Sequence, residues 1–164
     1  MDNRSTIASV LGVVAAVSLW FAMTQLAPPY VGEFAIILSK DNTKIVTGPD
    51  ILYYNPDSHE FTLTDECAER LKPMGWRLSG EFKIIIDGES VLGGVAVPPT
   101  VSRSYDIHQV VLLYPTFDKS SMNYSEMKLQ LGYPWDQSAL LDSVNPLDNA
   151  KIVGFFERSG RLVR

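Results

Sequence analysis

Apolar and polar positions follow different rhythms in different parts of this chain. Residues 7–27, IASVLGVVAAVSLWFAMTQLA, run 21 positions with no charge and no proline. As a helix rising ~1.5 Å per residue, that run reaches roughly 31 Å, about the thickness of a bilayer's hydrocarbon core. It has no polar face to turn toward water, so it does not read as a helix on a soluble core. The pattern predicts a transmembrane anchor over 7–27, after a tail over 1–6. A linker over 28–33 follows, where Pro28 and Pro29 stop the helix. A cleaved leader is the poorer reading, because the apolar stretch exceeds the usual span of about 7 to 15 residues and its Leu-Ala ending meets two prolines.

From residue 34 the rhythm shortens, and 34–164 reads as one globular domain. FAIIL at 34–38 and KIVT at 44–47 are brief apolar runs between polar turns, which predicts strands. ILYY at 51–54 precedes the turn composition NPDS, and HEFTL at 59–63 alternates as a half-buried strand does. Thr64 before Asp65 and Glu66 is a helix start: a hydroxyl to cap free amides, then acids where the helix dipole favours them. Cys67, Ala68 and Leu71 then form one apolar stripe, and Pro73 and Gly75 limit the helix to two or three turns.

Asp87-Gly88 between two apolar runs predicts a hairpin over 82–92 with a type I′ turn. Residues 95–97 extend its second arm, with Gly93-Gly94 as the expected bulge or kink. IHQVVLLY at 107–114 is the most apolar candidate and is expected at the centre of the sheet. Residues 115–149 are loop-rich. There 125–131 fits a short helix or a strand, and 136–144 a short helix with Ala139, Leu140 and Val144 inward. IVGFF at 152–156 predicts a closing strand. Short strands with one or two short helices predict an α+β domain with a mainly antiparallel sheet covered on one face.

Composition narrows the function classes. Apolar residues make up 46% and charged residues 20%, which argues for a packed domain over disorder. Asp2 and Arg4 cancel, so the domain carries the whole net charge of −5, and its sparse basic residues argue against nucleic acid as a partner. The single cysteine, Cys67, excludes an internal disulfide and a cysteine-based zinc site. No cofactor motif is present. Arg4 ahead of the apolar run favours the N-terminus inside and an extracytoplasmic domain.

Residues 61–66 read FTLTDE, 66–71 read ECAERL and 82–91 read FKIIIDGESV. In order and spacing, the stretch from about 59 to 97 resembles the head part of the large extracytoplasmic domain of SecD, of the SecDF protein-export family. There a strand, a helix opening on a Leu-Thr motif and an Asp-Gly hairpin follow one another. The resemblance implies that fold unit and a domain that touches other polypeptides outside the membrane. The helices that carry the family's proton path have no counterpart here, so proton-coupled translocation is not implied.

Chemistry-bearing residues are few and mostly have structural readings. Asp65, Glu66 and Glu69 fit a solvated helix start better than a cation site. His59 and Glu60 point to opposite faces of a strand and do not converge. His108 reads as a strand-end polar group, and Cys67 as a small buried residue. The aromatic set Tyr114, Phe117, Tyr124, Tyr133 and Trp135 either seals the core beneath long loops or forms a contact surface, and these five are the candidate partner contacts. Gly12, Ala15, Ala16 and Ser18 are candidates for close helix packing within the membrane.

The expected function is therefore a non-catalytic, membrane-anchored protein-binding or accessory subunit of a membrane assembly. The alternative is a small-molecule or lipid-facing binding module with a pocket lined by Tyr53, Tyr54 and Trp76. A hydrolase would need two of Asp57, Asp87, Asp106 and Asp118 to meet in one cleft.

Overall fold

The computed structural model describes residues 32–98, 102–118, 121–136 and 145–164, without the side chains of Trp76 and Asp118. The expected anchor over 7–27, with Gly12, Ala15, Ala16 and Ser18, lies outside the described residues, as does 137–144 of the expected 136–144 helix. Among the described residues no helix is long and apolar enough to cross a membrane. All of them belong to one compact unit, Gly32–Arg164.

The predicted strands form β1 (Phe34–Leu38), β2 (Thr43–Thr47), β3 (Ile51–Asn55) and β4 (Glu60–Leu63). Helix α1 (Asp65–Leu71) leads through a 3₁₀ run kinked at Gly75 to the hairpin β5 (Gly80–Ile86) and β6 (Glu89–Val97). Then come β7 (Tyr105–Leu113), the small hairpin β8 (Thr116–Asp118) and β9 (Ser121–Asn123), β10 (Glu126–Tyr133) and α2 (Ala150–Arg158). Eight strands make one sheet in the order β2-β1-β5-β6-β7-β10-β4-β3, and only the β6–β7 pair is parallel. Among the described residues the domain is α+β, with an antiparallel-rich sheet and two short helices.

This sheet is curled, where a layer covered on one face was expected. Its two edge strands, β2 and β3, are joined by the three residues Gly48–Asp50. So short a link between strands at opposite ends of the order forces the sheet to bend back on itself. Phe34 on β1 and Phe61 on β4 are far apart in the strand order, yet their ring centroids lie 6.1 Å apart. The concave side takes the alternate residues Phe34, Ile36, Phe61, Phe82, Ile84 and Leu129, all buried.

Residues 152–156 were expected as a strand and instead form the middle of α2. Asn149 caps that helix, its side-chain oxygen accepting from the amides of Lys151 and Ile152. The buried residues Ile152, Phe155 and Phe156 recur at three- and four-residue spacing, the helical period. Phe156 lies 5.2 Å from both Phe34 and Tyr54, centroid to centroid, so α2 inserts an aromatic plug into the open side of the curl. Burial of a helical face against the sheet outweighs the β-propensity of Ile, Val and Phe.

The seam between the sheet edges is closed by the chain after α2. Arg161 stacks over Phe155 and Phe156 and donates hydrogen bonds to the carbonyls of Gly48 and Ile51. The Tyr54 amide donates to the Arg161 carbonyl, and the Val163 amide donates to the Tyr54 carbonyl, which covers the free edge of β3.

Local signals behave as their chemistry predicts. Thr64 accepts from the Cys67 amide, and Cys67, Ala68 and Leu71 face inward. Asp87 and Gly88 both take positive φ in the hairpin turn. Strand β7 has neighbours on both sides, as expected. The register slip in the β5–β6 pair falls between Ile84 and Ile85, opposite 90–92, and not at Gly93-Gly94. Gly94 has another role: a Cβ there would sit 2.2 Å from the Val110 carbonyl oxygen, so its bare backbone lets β7 approach.

Candidate functional site

Two tyrosine–proline steps shape one outer surface of the sheet. After β7 the chain turns at Tyr114-Pro115, and after β10 at Tyr133-Pro134; both peptide bonds are cis. Tyr114 is buried, and its hydroxyl donates to the Tyr124 carbonyl at 3.0 Å and lies 3.4 Å from the Ala68 carbonyl. Burial pushes that hydroxyl well above the ordinary phenol range, so it stays a proton donor. Tyr124 stacks edge-on against Tyr114 and carries the Lys72 ammonium 5.5 Å above its ring. These contacts fasten the base of the β8–β9 hairpin.

On that hairpin Phe117 and Met122 are register partners, and both are exposed, at 60% and 42%. Trp135, just beyond Pro134, is 77% exposed. Between the hairpin and the sheet lies a groove of about 390 Å³. Its floor includes Leu113 and the buried Tyr133, which packs on Val97 and Val111, while Pro115, Phe117 and Pro134 form its walls. Its polar side holds Glu60, Glu126 and Lys128.

Strand register explains how the polar groups arrive there. Lys128 on β10 pairs with Glu60 on β4 and with Leu113 on β7, so all three lie in one row across the sheet. Glu60 accepts a hydrogen bond from the Ser58 hydroxyl at 2.8 Å, and Glu126 accepts one from the Thr116 hydroxyl at 3.3 Å. Despite their pairing, Lys128 and Glu60 form no ion pair, and Glu126 has none among the described residues.

The five aromatic candidates divide. Tyr114 and Tyr133 are packed into the fold, Tyr124 is half-buried, and Phe117 and Trp135 stand in solvent. Sequence reasoning weighed Glu60 only as a neighbour of His59 and did not single out Met122, Glu126 or Lys128. The period-two alternation of EMKLQL at 126–131 carried the signal for the last two, since it sends Met127, Leu129 and Leu131 inward and Glu126 and Lys128 outward.

Other constellations do not assemble. Tyr54 is wholly buried while Tyr53 is 48% exposed, so the two do not line a common pocket; the Trp76 side chain lies outside the description. Asp57, Asp87 and Asp106 are exposed on the β3–β4 turn, the β5–β6 turn and the start of β7. Asp87 there accepts from the Glu33 amide. Among the described residues no three His, Cys, Asp or Glu side chains are grouped to hold a metal ion. Burial pushes the Cys67 thiol up to about 11, which disarms it as a nucleophile.

His59 is buried at a positive φ of 56°, with Nδ1 3.4 Å from the Tyr54 hydroxyl and Nε2 3.8 Å from Asp148. Burial lowers its basicity, and the nearby Asp148 and Asp136 only partly oppose this. Tyr54 and His59 are buried in the core, while the Asp148 carboxylate stands in solvent at 64% exposure, so only the acid of the three is accessible.

No family model matches the chain, and no curated protein and no solved structure is significantly similar to it.

Proposed function

We propose that this chain is a single-pass membrane-anchored, extracytoplasmic domain that serves, without catalysis, as a protein-binding or accessory subunit of a membrane assembly. The observation that carries the reading is the exposure of Phe117 on the groove, of its register partner Met122, and of Trp135 next to the groove-lining Pro134. Large aromatic side chains held in solvent by a fastened scaffold are the residue types that dominate protein interfaces. The 21-residue apolar run supports the membrane side of the proposal. The segment resembling the SecD head folds as strand β4, helix α1 and hairpin β5–β6, and the same resemblance suggests contact with other polypeptides.

A small-molecule or lipid-facing module is the second reading, because a groove of about 390 Å³ falls in the size range of ligand sites. The test is extraction of the tagged full-length chain in mild detergent, with quantitative mass spectrometry of co-purifying proteins. The wild type should retain a membrane protein at stoichiometric level, and a Phe117→Ala, Trp135→Ala double variant should lose about tenfold or more of it. A chain that co-purifies with nothing, or a partner equally abundant on both forms, overturns the proposal.

A further inference from the structure

The groove beside the β8–β9 hairpin has a chemistry that selects among protein partners. Its apolar part is formed by Phe117, Leu113 and Tyr133, and its polar part by two carboxylates against one ammonium. The Ser58 and Thr116 hydroxyls each engage one oxygen, Oε2, of Glu60 and Glu126, which holds both carboxyl groups in place. Neither carboxylate is neutralised by an ion pair among the described residues, although Lys128 lies directly across from Glu60. Among the described residues the lining therefore carries a net negative charge beside an apolar furrow.

We infer that this groove takes an extended peptide segment of a partner protein, with apolar side chains seated against Phe117 and Tyr133 and a lysine or arginine meeting Glu60 and Glu126. This rests on the protein-binding reading above. Its floor is a pleated sheet face, whose residues recur at the same two-residue period as the side chains of an extended strand. Charge complementarity sets the sign of the polar contact: an acidic segment would meet two carboxylates as well as a chain of net charge −5. The same charge disfavours a second copy of this chain and an anionic membrane surface as occupants.

The test uses the full-length chain in mild detergent, immobilised through an N-terminal tag and panned against a phage-displayed library of random decapeptides. Enriched peptides are synthesised and titrated by tryptophan fluorescence, since Trp135 adjoins the groove. Enriched sequences should combine a large apolar residue with a nearby lysine or arginine. Their affinity should fall about tenfold with Phe117→Ala and several-fold with Glu126→Gln, and should weaken as salt rises. Thermal melts establish that both variants remain folded.

The inference is overturned if nothing is enriched, if the enriched peptides are acidic or uncharged, or if binding ignores both substitutions. Binding of the isolated variants and wild type to anionic vesicles in place of peptide overturns it as well. If peptides fail while the co-purified partner still depends on Phe117 and Trp135, the surface is an interface for a folded partner. If both fail, the protein-binding reading falls with the inference.

Discussion

Arg161 should be one of the most consequential half-buried side chains in the domain. It lies in the tail after α2, yet it ties together the two edges of the curled sheet through the carbonyls of Gly48 and Ile51, the latter at 2.9 Å. Its guanidinium also lies 5.8 and 5.7 Å from the Phe155 and Phe156 ring centroids. A hydrogen bond from a charged donor contributes about 1.5–3 kcal/mol. Water partly replaces such bonds at a half-buried site, so the two together are worth about 2–3 kcal/mol here. The ring contacts add about 0.5 kcal/mol each at this exposure.

Arg161→Ala should therefore cost about 3–4 kcal/mol, which for a domain of this size lowers the melting temperature by roughly 10 °C or somewhat more. Arg161→Met separates the contributions, because it keeps an apolar stem over the rings and removes the donors. It should cost about 2 kcal/mol. The assay is thermal unfolding by far-ultraviolet circular dichroism at neutral pH in the same detergent for all three proteins. A loss below about 0.5 kcal/mol for the alanine variant, or a methionine variant as stable as wild type, would refute the idea that this arginine closes the seam.

Two further outcomes probe the sheet and its buried imidazole. Gly94→Ala puts a Cβ into the Val110 carbonyl and 2.9 Å from Phe82, so the β6–β7 pairing must open; a loss of about 3 kcal/mol is expected in the same melts, and a change below about 1 kcal/mol would show that the strands can shift freely. His59 has a lowered affinity for protons when folded, so as pH falls through the ordinary histidine range near 6.5 the unfolded chain takes up the proton first. Stability should be unaffected by this group above that range, fall on acidification through it, and level off below the folded-state value. A His59→Asn variant, chosen because asparagine tolerates the positive φ, should show a shallower loss between pH 7.5 and 5.5; parallel curves would count against the buried-imidazole account.

By itself the sequence determined the features that depend on neighbours a few residues apart. Asp87-Gly88 makes its turn because positive φ is accessible to both residues, and Thr64 caps α1 because its hydroxyl reaches the amide three residues on. Most strands were legible from short apolar runs between turn residues, and the small apolar face of α1 from the spacing of Cys67, Ala68 and Leu71. The tertiary structure decided everything that depends on distant partners. Residues 152–156 have a composition suited to a strand, and only the aromatic socket of Phe34, Tyr54 and Phe61 makes a helix the better way to bury Phe155 and Phe156. The curl of the sheet follows from joining β2 to β3 through three residues while six strands intervene in the sheet order. The aromatic set could not be sorted from composition, since Tyr133 and Trp135 are two positions apart and one packs on Val97 and Val111 while the other stands in water. A groove built from β4, β7, β8 and β10 exists only once strand register has brought Glu60, Lys128 and Leu113 into one row, and register is a long-range property of the fold.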